Sequence, residues 1–299
     1  MNEILEKMPI ALKRIKEKKP LTHCITNYVT VNDCANAILA IGATPIMAED
    51  LRELESIVNI SSGLVINIGT INENQEKSIL KACKIANETN TPITFDPVGV
   101  GISSLRNEIT LNIINNYKLA AIRGNMSEIK AIGSLIFDEK SSSGIGVDVK
   151  IEDITTKENL KVNGEIVKKI AKELKTVVIA SGAIDLISDG EIIIVCENGD
   201  ELMPQITGSG CMLSAITGSC VSVNDPLEGS VLACLLMTLS GEYAKFFISK
   251  LALGTGTFRS ILIDYLSKIN SEDIKLKSKI YKLWYYEPNW LFSLFSYKQ

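Results

Sequence analysis

The sequence predicts an α/β protein built on a central, mainly parallel β-sheet with helices on both faces. Three observations carry this. Short β-branched, near-continuous apolar runs recur along the chain, as strands buried on both faces require. Segments with apolar residues at helical spacing separate them. The last third is almost wholly helical, which suits one domain better than a string of modules.

The elements can be taken in order. Gly63-Leu-Val-Ile-Asn-Ile-Gly69 is an apolar run closed by glycine at both ends. Ile79, Ala82, Cys83 and Ala86 follow at helical spacing. Pro92-Ile-Thr-Phe-Asp-Pro97 and Leu119-Ala-Ala-Ile-Arg-Gly124 read as further strands. Ile166, Val167, Ile170, Ala171 and Leu174 form a helical stripe, and Thr176-Val-Val-Ile-Ala-Ser-Gly182 is a fourth strand. Asp185 to Cys196 reads as two strands around a Ser-Asp-Gly turn, an antiparallel hairpin. Helices are expected at about 211–222, 227–249 and 257–268. No Pro/Gly/Ser linker and no repeat interrupts this order. Lys140 to Gly146 reads as a loop. Residues 269–299 depart from the pattern and are read as a tail, with both tryptophans, Trp284 and Trp290. Packing on the body, an interface and disorder are all open to that tail.

Composition narrows the function. Of 299 residues, 46% are hydrophobic, enough for a substantial core. A net charge of −4 gives no electrostatic footprint for nucleic acid. Seven cysteines, an odd number without a Cys-x-x-Cys pair, and a single histidine, His23, supply a zinc site poorly. Reduced thiols in a cytoplasm are the plain expectation. The N-terminus has no apolar signal-peptide core, and the longest apolar stretch, Val231 to Leu239, is too short to span a bilayer.

Thr207-Gly-Ser-Gly-Cys211 opens the helical third. Glycines let successive N–H groups converge on one point, and a helix start adds partial positive charge. Such an arrangement suits a phosphate in transit. Taken alone, it is equally a turn that merely begins a helix.

Further segments decide between these. Thr22-His-Cys-Ile-Thr-Asn27, Asp96-Pro-Val-Gly-Val-Gly101, Ile122-Arg-Gly-Asn-Met-Ser-Glu-Ile129, Gly146-Val-Asp148, Ser181-Gly182 with Ser188-Asp-Gly190, and Thr207 to Cys211 occur in a fixed order. From about residue 10 to 268 the chain resembles the hydroxyethylthiazole kinase family. The resemblance implies a ribokinase-like fold over residues 1–268. It implies transfer of phosphate from ATP, with Mg²⁺, to the hydroxyl of 4-methyl-5-(2-hydroxyethyl)thiazole in thiamine salvage. It also implies a homotrimer with the substrate pocket at a subunit interface, and neither nucleic acid nor membrane as partner.

The resemblance assigns roles by position. Cys211 stands beside the substrate hydroxyl, where related sugar and pyrimidine kinases carry an aspartate base. Gly208 contacts the alcohol through its backbone, and Gly210 completes the helix start. Met47 contacts the thiazole, and Asn27 lies near the same pocket. Arg123 meets the ATP phosphates and Ser181 the nucleotide. Asp96 and Glu128 surround the Mg²⁺ and phosphate site. A helix start is expected to lower the Cys211 thiol pKa. Glu128 also suits an ordinary first-turn carboxylate, and His23, inside the first strand, a structural role. Ser209 and Ser181 stand where the family more usually has Thr; both keep a hydroxyl.

Two neighbours within the fold are the alternatives: a hydroxymethylpyrimidine-type kinase and a lyase repairing hydrated nicotinamide cofactors. Both favour an aspartate where Cys211 stands, and the pyrimidine kinases lack the Thr-His-x-Ile-Thr-Asn opening. A non-catalytic binder would have no need of Arg123, Asp96 and the glycine turn together. A dinucleotide-binding dehydrogenase would carry Gly-x-Gly-x-x-Gly after an early strand, which this chain lacks.

Overall fold

The computed structural model describes residues 3–137 and 154–283. The loop from Lys140, the Gly146-Val-Asp148 motif and the Trp284–Trp290 segment lie outside the described residues.

Within them, nine strands form one sheet: β1 (Leu21–Ile25), β2 (Thr44–Ile46), β3 (Gly63–Asn67), β4 (Ile93–Asp96), β5 (Ala121–Asn125), β6 (Val177–Ser181), β7 (Asp185–Ser188), β8 (Ile193–Cys196) and β9 (Ile280–Lys282). Their spatial order is β2-β1-β3-β4-β5-β6-β7-β8-β9. From β2 to β6 all pairs are parallel; β6 to β9 pair antiparallel.

The apolar runs are explained by two cores, one on each face. In β3, Val65 points into one core while Leu64 and Ile66 point into the other. Every β3 residue is therefore buried, and alternation of polar and apolar residues would be impossible. One face is covered by α1 (Glu3–Lys18), α2 (Val31–Ala40), α8 (Ser209–Val221), α9 (Pro226–Leu251) and α10 (Thr255–Lys268). The other carries α3 (Leu54–Ile60), α4 (Glu73–Glu88), α5 (Ser104–Asn116), α6 (Met126–Ile136) and α7 (Leu160–Leu174).

The expected strands at 63–69, 92–97, 119–124 and 176–182 are β3 to β6, and the expected hairpin is β7–β8. Helix α9 is long and apolar enough by length and composition to cross a membrane, well beyond the nine-residue stretch 231–239. Most of its apolar length is buried against α8, α10 and the sheet, which makes it a core helix. Asp225 caps its start, accepting from the Leu227 and Glu228 N–H groups, and Pro226 occupies the first turn.

Residues beyond 268, read from the sequence as a tail, contain α11 (Ser271–Lys277) and β9. β9 pairs with β8, with Val195 opposite Tyr281. Asn198 fastens this addition: it accepts from the Lys279 N–H at 2.6 Å and donates to the Lys277 carbonyl at 3.0 Å.

Candidate functional site

In an open parallel sheet, ligands meet the carboxyl ends of the strands, where loops and helix starts converge. Here those ends carry polar side chains. Asn67 and Asp96 are register partners at the tips of β3 and β4. Arg123 projects from β5, and Ser181 ends β6 opposite Asn125. Asn27 lies two residues past β1. The start of α8 brings Gly208, Gly210 and Cys211 to the same place.

Asp96 is the centre. It is fully buried, and its Oδ2 accepts from Asn67 Nδ2 at 2.8 Å and Ser214 Oγ at 2.7 Å. Arg123 Nη1 stands 3.9 Å from the same oxygen. Oδ1 has no hydrogen-bond partner among the described residues. Burial pushes the carboxyl up to about 7; Arg123, Ser214 and Asn67 pull it down, and the charge of Glu128 adds to the rise.

Arg123 spans the gap between Asp96 and β6. Its Nη2 donates to Ser181 Oγ, while its buried Nε has no partner among the described residues. The guanidinium lies against Gly210. A Cβ there would come within 2.4 Å of Nη1, so only glycine admits the side chain. Gly208 has φ +85°, and a Cβ would strike Thr30 Cγ2 at 2.5 Å.

Glu128 is committed to the backbone. Oε1 accepts from the Gly99 N–H at 2.9 Å and Oε2 from the Asn125 N–H at 2.8 Å, while Asn125 caps α6 in return. The capping box and the tie to the β4–α5 loop occupy one lone pair on each oxygen. Arg106 supports the same loops, donating to the carbonyls of Ile68, Val98 and Gly69 at 2.5–2.9 Å.

Cys211 corrects a sequence expectation. Its thiol is raised, not lowered: burial is the main cause, and the charge of Asp96 adds to it. Hydrogen bonding with Thr30 and Asn27 and the charge of Arg123 only soften that. The sulfur accepts from Asn27 Nδ2 at 3.1 Å and Asn67 Nδ2 at 3.3 Å. The six other cysteines are buried. His23 faces the Ala48 carbonyl at 2.6 Å, as a structural residue would.

The structure thus joins Asn27, Asp96, Arg123, Ser181, Gly208, Gly210 and Cys211 in one continuous cluster, with Glu128 behind it. Met47 follows β2, half-buried against the α2–α8 core, and takes no part in these contacts. Sequence reading missed Asn67, Ser214, Thr30 and Arg106. Asn67 left a signal: it is the lone amide in an apolar strand. Ser214 lies one helical turn after Gly210, on the same face.

Among the described residues no group of three or more His, Cys, Asp or Glu side chains could hold a metal ion alone. Mg²⁺ does not require one, since one or two carboxylates, water and substrate phosphates usually suffice. Asp96, whose buried Oδ1 has no hydrogen-bond partner among the described residues, is the carboxylate here that could serve as such a ligand.

Comparison with known proteins identifies the family. The model of the hydroxyethylthiazole kinase family matches residues 12–272. The hydroxyethylthiazole kinase of Methanobrevibacter smithii is 53% identical over 279 residues, covering 93% of this chain and 97% of that protein. The solved hydroxyethylthiazole kinase of Pyrococcus horikoshii OT3 superposes with a TM-score of 0.82 at 34% identity, covering 93% of this chain and all of the other. A ribokinase-like superfamily protein from Enterococcus faecalis has a TM-score of 0.56 at 12% identity, over 86% of this chain and 89% of its own, and shows the fold alone. Matched along nearly its whole length in sequence and in structure, the chain belongs to the hydroxyethylthiazole kinase family.

Proposed function

We propose that this chain transfers the γ-phosphoryl group of ATP to the hydroxyl of 4-methyl-5-(2-hydroxyethyl)thiazole, with Mg²⁺, in thiamine salvage. The observation that carries this reading is the juxtaposition at the start of α8. A guanidinium packed on Gly210 stands beside a buried, incompletely satisfied carboxylate that Ser214 of the same helix engages.

Phosphoryl transfer asks a protein for positioning and charge stabilisation more than for covalent chemistry. Arg123 pairs with phosphate oxygens, its free Nε–H being one donor in hand. The N–H groups after Gly208 and Gly210 receive charge developing on the equatorial oxygens. Ser181 steadies Arg123 and borders the nucleotide. Asp96, with Glu128 behind it, would hold Mg²⁺, which when bound neutralises phosphate charge. The substrate oxygen bonds to the γ-phosphorus as the bond from that phosphorus to its bridging oxygen breaks; the hydroxyl proton passes to a phosphate oxygen and on to solvent, and ADP leaves.

Cys211 lines the acceptor side. A thiol held up by burial is a hydrogen-bond partner for the hydroxyl rather than a resident base. A loose transition state has little need of early deprotonation. Gly208 contributes its backbone to the alcohol, Asn27 borders that pocket and Met47 touches the thiazole ring. The active form is a homotrimer with this pocket at the interface; Tyr28 and Val29, exposed apolar residues directly after Asn27, support that reading. The setting is cytoplasmic.

The test is a coupled ADP-release assay with ATP and Mg²⁺, offering the thiazole and hydroxymethylpyrimidine in parallel. Turnover with the thiazole alone is expected. Turnover with the pyrimidine alone moves the chain to the neighbouring activity, and none with either, in folded protein, sinks the kinase reading.

A further inference from the structure

Asn67 closes β3 with almost no exposed surface, 1% of its maximum. Its carboxamide has two ends with different duties. Oδ1 accepts from the Gly69 N–H at 2.8 Å and from Asn27 Nδ2 at 3.2 Å. Nδ2 donates to Asp96 Oδ2 at 2.8 Å and to Cys211 Sγ at 3.3 Å. A backbone N–H can only donate. Gly69 therefore fixes which end of the amide is oxygen, and the NH₂ group must face the carboxylate and the sulfur.

Asn27 is locked in the same manner. Its Oδ1 accepts from the Thr30 N–H at 3.1 Å and Thr30 Oγ1 at 2.9 Å, so its NH₂ group faces Asn67 and Cys211. Two amides, each oriented by a donor that cannot reverse, aim N–H groups at one sulfur. Neither keeps a polar atom free for a substrate: the donors and acceptors of both are all occupied. A fully satisfied buried network of this kind holds its members in one geometry.

We infer that Asn67, with Asn27 beside it, is the positioning residue that binds the carboxylate of the phosphate side and the thiol of the acceptor side into one rigid unit. The register of β3 with β4 brings the amide to Asp96, and the start of α8 brings the sulfur to the amide. Asn27 then acts through Cys211, not on the substrate directly. The inference deepens the kinase reading and rests on it for its kinetic part; the hydrogen-bond part stands on the structure alone.

Asn67→Asp preserves shape and removes every side-chain N–H; Asn67→Val suits a strand and removes all polarity. Each would be compared with the natural protein for alkylation of Cys211 by iodoacetamide at pH 8, located by mass spectrometry. Cys211 is the one cysteine not fully buried, so labelling reports on it. Turnover of the thiazole would be measured beside it, with circular dichroism confirming the fold. Alkylation should slow about tenfold or more in both variants, because the sulfur loses a donor that stabilises its anionic form. The kcat should fall at least as far, with both KM values within about twofold, the mark of lost positioning rather than lost binding. Alkylation at the natural rate or faster in a folded variant overturns the inference, as does a defect confined to KM. If Asn67→Asp does not fold, Asn67→Val decides. If the natural protein does not turn the thiazole over, the kinase reading fails while alkylation still judges Asn67.

Discussion

The two halves of the sheet both bury polar side chains, but they treat them differently. At the antiparallel end, Asn198 is engaged by Lys277, Lys279 and Glu242, Ser188 by Ile192 and Gly190, and Tyr281 by Glu197. No buried side-chain atom of β7, β8 or β9 lacks a partner. At the carboxyl ends of the parallel strands, a carboxylate oxygen of Asp96 and the Nε of Arg123 are buried without one, the two charged groups so left among the described residues. Folding alone does not account for them, since leaving such groups unmade costs stability. Satisfied polar groups hold the scaffold together, whereas incompletely satisfied charges mark where a ligand completes the structure.

Substitutions can break that contrast. The largest effect is expected for Asp96→Asn. Turnover should fall about a thousandfold as the charge facing the phosphates is removed. Stability should move the other way. The folded-state carboxyl is raised from its ordinary 3.8 to about 7, so the penalty of burying its charge is absent below that window and complete above it. The Tm of Asp96→Asn minus that of the natural protein should therefore grow as pH rises from 4 to 8. A gap that shrinks over that range would refute the account. Gly210→Ala comes next: the added carbon must displace the Arg123 guanidinium, and kcat should drop about a hundredfold with circular dichroism unchanged.

At the antiparallel end the same kind of experiment should read only on stability. Asn198→Ala strips β9 of its fastening and should cost about 2 kcal/mol in chemical denaturation, with kcat within about twofold of natural. Asn270→Ala removes the capping box of α11 and should cost about 1 kcal/mol, again without effect on turnover. A large activity loss in either would erase the division between the halves.

Much of this was legible in the chain. Strands β3 to β6 announced themselves because burial on both faces leaves little room for polar residues before the carboxyl ends, and Arg123, Asp96 and Cys211 stand where those runs or the glycine turn end. Other parts were not. β2 and β9 are three residues each, too short for periodicity to declare them. Asn67 reads as an interruption of an apolar run until the register opposite Asp96 is known. The thiol of Cys211 depends on burial and on a charge distant in sequence, so its helix position alone pointed the wrong way. Glu128 matched a motif, yet its two oxygens answer backbone N–H groups of the β4–α5 loop and of the end of β5.

The sheet order also dictates a sequence of events during folding. β9 covers the open edge of β8, but the chain between them builds α8 to α11 first, and the Lys279 N–H meets Asn198 across 81 residues of separation. That closure is the most non-local strand pairing among the described residues, and such pairings form late. Until it forms, β8 presents a bare, hydrophobic strand edge of the kind that recruits other chains. The three residues of β9 thus guard against misassembly, a duty remote from catalysis and discharged only near the end of folding.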